Sequence, residues 1–193
     1  MKNNKCGQAP VLTEIEFSKI RKQIRSKNYK LLFDLAWYSG ERWGALCKLR
    51  TEDCYEKDGS VRGYLTFRAA TRKAAPDGKR KTRQVPIHPV LKEALGNYKP
   101  AADSQYLFPN REGDKPITLR WADEVLRSAV ERAGLLAKGI STHSTRRTFI
   151  TKLHRNGCDI YTIQKITGHQ DLKALGHYID IDADVVKGAI EAL

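Results

Sequence analysis

One extended pair sits inside a chain that otherwise reads as short, separately capped helices. Val61 to about Thr71 and Thr82 to Ile87 read as strands, joined by a polar loop with Pro76-Asp77-Gly78 and preceded by turn residues Asp58-Gly59. On either side the punctuation is helical. Thr13 and Glu16 make a capping box for a helix through about Ile24, a second helix runs from about Tyr29 to Gly40, and Arg42 to Leu49 is a third. After the pair, His88-Pro89 starts a helix to about Asn97, Thr118 caps one to Ala133 before Gly134, and Thr142 caps one to Arg155 before Gly157. Asp159 opens a short helix closed by Gly168, Asp171 opens a segment carrying Tyr178, and a last helix spans about Ala183 to Leu193. The expected class is therefore α+β, mainly α-helical, with a small antiparallel sheet on one side.

At 193 residues and 40 % hydrophobic composition the chain fits one globular domain over 1–193, large enough to bury a core. Lys and Arg total 35 against 22 Asp and Glu, a net charge of +13 that favours a polyanionic partner such as nucleic acid. The excess is uneven. Arg68, Arg72, Lys73, Lys79, Arg80, Lys81 and Arg83 face only Asp77 within the hairpin, which makes this the candidate DNA-contacting element. From Tyr178 onward Asp180, Asp182, Asp184 and Glu191 reverse the balance, so the tail is a poor nucleic-acid surface.

Cys6, Cys47, Cys54 and Cys158 lack the close paired spacing of a zinc site and read as reduced, mostly buried thiols. The most apolar stretch, Leu31 to Tyr38, is broken by Asp34 and is too short to span a bilayer, so the expected location is the cytoplasm with no membrane partner.

Chemistry concentrates in a few residues: Arg42, His143 and Arg146, then His169, and nine positions on Tyr178. An arginine fork holds two phosphate oxygens and cannot lose its charge, an imidazole donates near neutral pH, and a phenol can act as a nucleophile. His143 and Arg146 lie three apart at the start of a helix, so they share a face, and the free N–H groups of that helix end would strengthen anion binding. Arg42 at a helix start opposes the helix dipole and needs another reason to be there. His-x-x-Arg alone is weak, since most such pairs are surface residues; order and spacing together are informative.

Ser39-Gly40-Glu41-Arg42 with Leu46, Leu49 and Asp53 resembles the first-arginine motif of the tyrosine recombinases, the phage integrase family, and Thr142-His143-Ser144-Thr145-Arg146-Arg147-Thr148-Phe149 is similar to its second box. Asn156-Gly157-Cys158-Asp159-Ile160, Ile163-Gln164-Lys165-Ile166, Gly168-His169-Gln170-Asp171-Leu172 and Tyr178 match its third box in register. The resemblance runs from about Thr13 to the end and implies that family's catalytic-domain fold, with a sheet of about three strands. It implies that Tyr178 attacks the scissile phosphate and is joined to the DNA 3′ end. Arg42 and Arg146 would clamp the non-bridging oxygens, His143 would hydrogen-bond the phosphate or assist proton transfer, and His169 would support the same centre. It further implies a lysine general acid at the start of the hairpin loop, for which Lys73 fits best and Lys79 is the alternative. Such a lysine, ordinarily near pKa ~10.4, needs a neighbouring cation to lower that value. No cofactor, metal or ATP is implied, because arginines stand where a metal would and the tyrosyl ester keeps the bond energy.

Remaining DNA contacts are expected from Arg68, Arg72, Lys79, Arg80, Lys81, Arg83 and Arg147, with His177 a surface residue. Implied partners are double-stranded DNA, further copies of the chain as a tetramer on DNA, and accessory DNA-bending proteins. The stripe Val186, Ile190 and Leu193 would dock on a neighbouring protomer.

Two departures stand out. The family usually has an acid three positions after the first arginine; here that residue is Ala45, leaving Glu41 or Asp53 to hold Arg42. Gly176 just before the nucleophile lowers helix propensity by ~1 kcal/mol. The helical domain that usually precedes this one is expected to be absent, which fits either a fragment or the short recombinases that have only a catalytic domain. Two other functions share these residues: a catalytically weak DNA-binding regulator, and strand relaxation of the type IB topoisomerase kind.

Overall fold

The computed structural model describes residues 8–71, 81–169, 171–176, 178 and 190–191. The chain divides into two compact units, Met1–Phe149 and Ile150–Leu193.

The first unit opens with α1 (Glu14–Gln23), whose start is the expected capping box: Thr13 Oγ1 accepts from the Glu16 N–H at 3.2 Å and Glu16 Oε2 accepts from the Thr13 N–H at 2.8 Å. Phe17, Ile20 and Ile24 form its buried stripe at helical spacing. The Phe17 ring stacks on Trp37 of α2 (Lys27–Ser39), centroids 4.3 Å apart. That helix ends where the sequence says it must, at Gly40 with φ 60°. The third helix, α3 (Trp43–Leu46), is shorter than expected, and Arg42 is its N-cap rather than part of its first turn.

The sheet has two antiparallel strands among the described residues, β1 (Tyr64–Phe67) and β2 (Arg83–Pro86), paired Tyr64 with Pro86 through Phe67 with Arg83. About three strands were expected. The segment Tyr55 to Val61 makes only an isolated bridge, and the first strand stops early because Ala69–Thr71 coil into a 3₁₀ turn. Leu65 and Phe67 on β1, and Arg83 and Val85 on β2, face inward with the period of two that a half-buried strand requires.

Next come α4 (Pro89–Gly96) and α5 (Leu119–Arg132), capped by Thr118, whose Oγ1 accepts from the Trp121 N–H. Ala122, Leu126, Ala129 and Val130 give α5 its buried stripe. Helix α6 (Thr142–Arg155) carries the second motif. Its cap is Ser141, not Thr142: Ser141 Oγ accepts from the His143 N–H at 3.3 Å, and Ser144 Oγ accepts from the Ser141 N–H at 3.1 Å.

The second unit contains α7 (Ile160–Thr167) and α8 (Leu172–Gly176) around a small core of Ile150, Ile163 and Leu175. Asp159 caps α7 through the Tyr161 and Thr162 N–H groups, and Gly168 ends it at φ 65°. Cys47 and Cys54 are buried free thiols, and burial pushes the Cys47 thiol up to about 12. Among the described residues no helix is long and apolar enough to cross a membrane.

Candidate active site

In the first unit the site is built by the corner after α2. Gly40 adopts the left-handed conformation, and a Cβ there would sit 2.3 Å from Phe149 Cδ1, so only glycine fits both the angle and the space. Its carbonyl accepts from Arg146 Nη1 at 2.8 Å. Arg146 is 2 % exposed although it is charged. Such burial requires partners, and the second one is Glu41, itself 1 % exposed, whose Oε1 lies 3.7 Å from Arg146 Nη1.

Glu41 does more than was expected of it. Its Oε1 accepts from the Arg42 N–H at 2.7 Å, its other oxygen is ion-paired with Arg83, and the Arg83 guanidinium lies 5.0 Å from the Phe67 ring centroid. Burial works against the charge on Glu41, but Arg83 and Arg146 beside it and the Arg42 N–H hold its carboxyl below the usual glutamate range. Asp53 is the partner of Arg68 instead, at 2.7 Å from Nε, with Glu52 2.8 Å from Nη2. A carboxylate one residue before Arg42 therefore occupies this corner, while Ala45 is a buried small side chain.

Arg42, His143 and Arg146 line one pocket of about 400 Å³, with Glu41, Lys48 and Thr71 also on its wall. Trp43 backs it, its indole N–H donating to Thr145 Oγ1 at 3.1 Å. Such a pocket presents two guanidiniums and an imidazole to an anion. The helix N-terminus contributes less than the sequence suggests, because the N–H groups of His143 and Ser144 are already bonded to Ser141.

In the second unit His169 and Tyr178 come together. Their ring centroids are 5.7 Å apart, His169 is buried and Tyr178 half-buried. The Tyr178 N–H donates to the Leu175 carbonyl at 2.8 Å, a turn that continues past α8, and its own carbonyl accepts from Thr151 Oγ1 at 3.3 Å. Thr167 Oγ1 lies 2.7 Å from His169 Nδ1.

The expected DNA-contacting set divides. Arg83 is buried on Glu41, and Arg68 is held by Glu52 and Asp53. Arg147 Nη1 donates to the Ala9 carbonyl at 3.1 Å, anchoring the segment before α1. Carboxylates and a carbonyl distant in sequence thus hold all three; Arg83 is buried by its partner, whereas Arg68 and Arg147 are half-buried. Lys81 is exposed. Arg72, Lys73, Lys79, Arg80, His177, Val186 and Leu193 lie outside the described residues, and Ile190 is 66 % exposed. Lys48 and Thr71 are pocket residues that sequence reasoning missed, and no motif or periodicity singles them out.

The phage integrase family profile matches residues 10–184. This chain belongs to the phage integrase family. Among its relatives, the tyrosine recombinase XerA of Pyrococcus furiosus is 30 % identical over 187 residues, covering 93 % of this chain and 60 % of its own. The probable integrase/recombinase YoeC of Bacillus subtilis is 27 % identical over 183 residues, covering 93 % of both chains. Several curated tyrosine recombinases of the family extend further than this chain, which spans 50 to 60 % of their length. The phage integrase fold is evident in a XerH site-specific recombinase bound to its difH substrate before cleavage, at TM-score 0.70 and 19 % identity over 97 % of this chain and 56 % of that one.

Proposed function

We propose that this chain is the catalytic part of a site-specific DNA recombinase that cuts and rejoins double-stranded DNA through a 3′-phosphotyrosyl intermediate. The observation that carries this reading is the grouping of the family's motif residues: Arg42, His143 and Arg146 on one pocket, and His169 beside Tyr178.

In the proposed reaction Tyr178 Oη bonds to the scissile phosphorus, the bond to the 5′ oxygen breaks, and a lysine of the hairpin loop gives that oxygen its proton. Lys73 is favoured over Lys79, because Thr71, two residues before it, already lines the pocket. Arg42 and Arg146 hold the non-bridging oxygens, whose charge grows in the transition state; such donors are each worth about 3 kcal/mol. His143, exposed at the start of α6, is a further donor to the phosphate. Religation reverses these steps on a new 5′ hydroxyl, so the tyrosyl ester stores what ATP would otherwise supply.

Glu41 is a positioning residue in this scheme. It fixes the peptide of Arg42 and neutralises Arg146 from the side of Gly40, which keeps the arginines in place without the acid that the family has at position 45.

The DNA is bound chiefly through phosphates, and binding weakens steeply with salt. Copies assemble as a tetramer on DNA, with the segment 183–193 docking on a neighbour. Incubating the protein with duplexes nicked near candidate crossover points should trap a protease-sensitive adduct that Tyr178→Phe cannot form. Tight binding without any adduct would instead indicate a regulatory relative, and supercoil relaxation without strand exchange a topoisomerase-like activity.

A further inference from the structure

Thr167 occupies the last position of α7, fully buried, two residues before His169. Its hydroxyl lies 2.7 Å from the Ile163 carbonyl oxygen and 2.7 Å from His169 Nδ1. A hydroxyl has one proton to give, and a carbonyl oxygen can only accept. The Thr167 proton therefore goes to Ile163, the usual bond of a threonine back to the carbonyl four residues earlier. Towards the imidazole the same oxygen can then act only as an acceptor, so Nδ1 must carry a hydrogen. In a neutral histidine the other nitrogen, Nε2, then holds the lone pair.

We propose that Thr167 is a positioning residue that fixes His169 in the Nδ1–H tautomer, so that Nε2 is the atom that takes the phenolic proton of Tyr178 during attack. This rests on the reading of Tyr178 as nucleophile. In the step, the Tyr178 Oη–H bond breaks and its proton passes to Nε2 as Oη bonds to phosphorus, while the loop lysine protonates the departing 5′ oxygen. On religation Nε2 returns the proton to Tyr178. The cationic ring formed in between keeps its Nδ1–H on Thr167, so the ring need not turn between the two half-reactions.

The test is a long-range ¹H–¹⁵N spectrum of the full chain with ¹⁵N-labelled histidine, His169 being assigned with His169→Gln and the pH raised until the neutral ring is seen. The expected spectrum has hydrogen on Nδ1 and a bare Nε2. Thr167→Ser, which keeps the hydroxyl, retains it. Thr167→Val, matched in shape, should lose it and slow adduct formation by about ten- to a hundredfold, a share of what general acid–base catalysis contributes, with DNA affinity unchanged. A wild-type spectrum with hydrogen on Nε2, or a Thr167→Val ring still fixed as Nδ1–H, would overturn the proposal, and the wild-type and serine spectra decide it even if the valine variant fails to fold. The expected tautomer in a protein that forms no adduct would instead refute the nucleophile reading and the proton transfer, leaving the positioning by Thr167 standing.

Discussion

Arg146 Nη1 donates to the carbonyl of Gly40 at 2.8 Å across 106 residues of sequence. The bond ties the guanidinium of the second arginine motif to the backbone corner of the first. It exists because Gly40 takes a left-handed φ of 60°, which ends α2 and leaves its carbonyl available to the interior.

Gly40→Ala should therefore be costly for two reasons. The left-handed angle alone costs about 1–2 kcal/mol for a residue with a Cβ, and the added carbon would meet the Phe149 ring at 2.3 Å. Urea unfolding should show a loss greater than the angle alone explains, with Phe149→Leu recovering only the steric share. A loss of less than about 1 kcal/mol, below that conformational cost, would mean that the corner is not built this way.

Glu41 makes stability depend on acid. Its folded-state carboxyl ionises below the ordinary value of 4.5, because Arg83, Arg146 and the Arg42 N–H outweigh the burial that opposes its charge. The stability it contributes is fully present above the unfolded value and is lost as the pH falls through the lower folded one. Glu41→Gln should be less stable at neutral pH by roughly 3 kcal/mol, as when one partner of a buried pair is removed, and its stability should fall less on acidification. Parallel stability curves for the two proteins would contradict this role.

Arg83 and Lys81 lie two residues apart and should behave differently. Arg83→Ala removes a buried partner of Glu41 and should cost roughly 3–5 kcal/mol of stability. Lys81→Ala, at an exposed position, should cost much less stability and, on the proposed DNA-binding role, lower the slope of log affinity against log salt by about 1, as expected for one lost phosphate contact. Thermal unfolding and salt-titrated DNA binding measure the two effects; a reversal would put Arg83 on the DNA instead.

What the sequence made legible is what local chemistry decides. The Thr13–Glu16 capping box, the Thr118 and Asp159 caps and the glycine stops at Gly40 and Gly168 lie within a few residues of the groups they serve, and the structure has each of them. The family motifs also singled out Arg42, His143 and Arg146, and these share a pocket. What local reading missed depends on distant partners. Counting charge within the hairpin made Arg68 and Arg83 look free, but Asp53 and Glu41 reach them from 15 and 42 residues away. Ser141 displaced Thr142 as cap because both are good capping residues and only the backbone geometry chooses between them. Thr167 carried no signal, since its meaning lies in which of two neighbours receives one proton.

The most direct measurement is to identify the atom joined to DNA. Trapped adduct from a nicked duplex would be digested with protease and nuclease and the linked peptide sequenced by mass spectrometry. The account predicts a nucleotide attached through its 3′ phosphate to the tyrosine at position 178. A nucleotide on any other residue, or one linked through its 5′ phosphate, would contradict it.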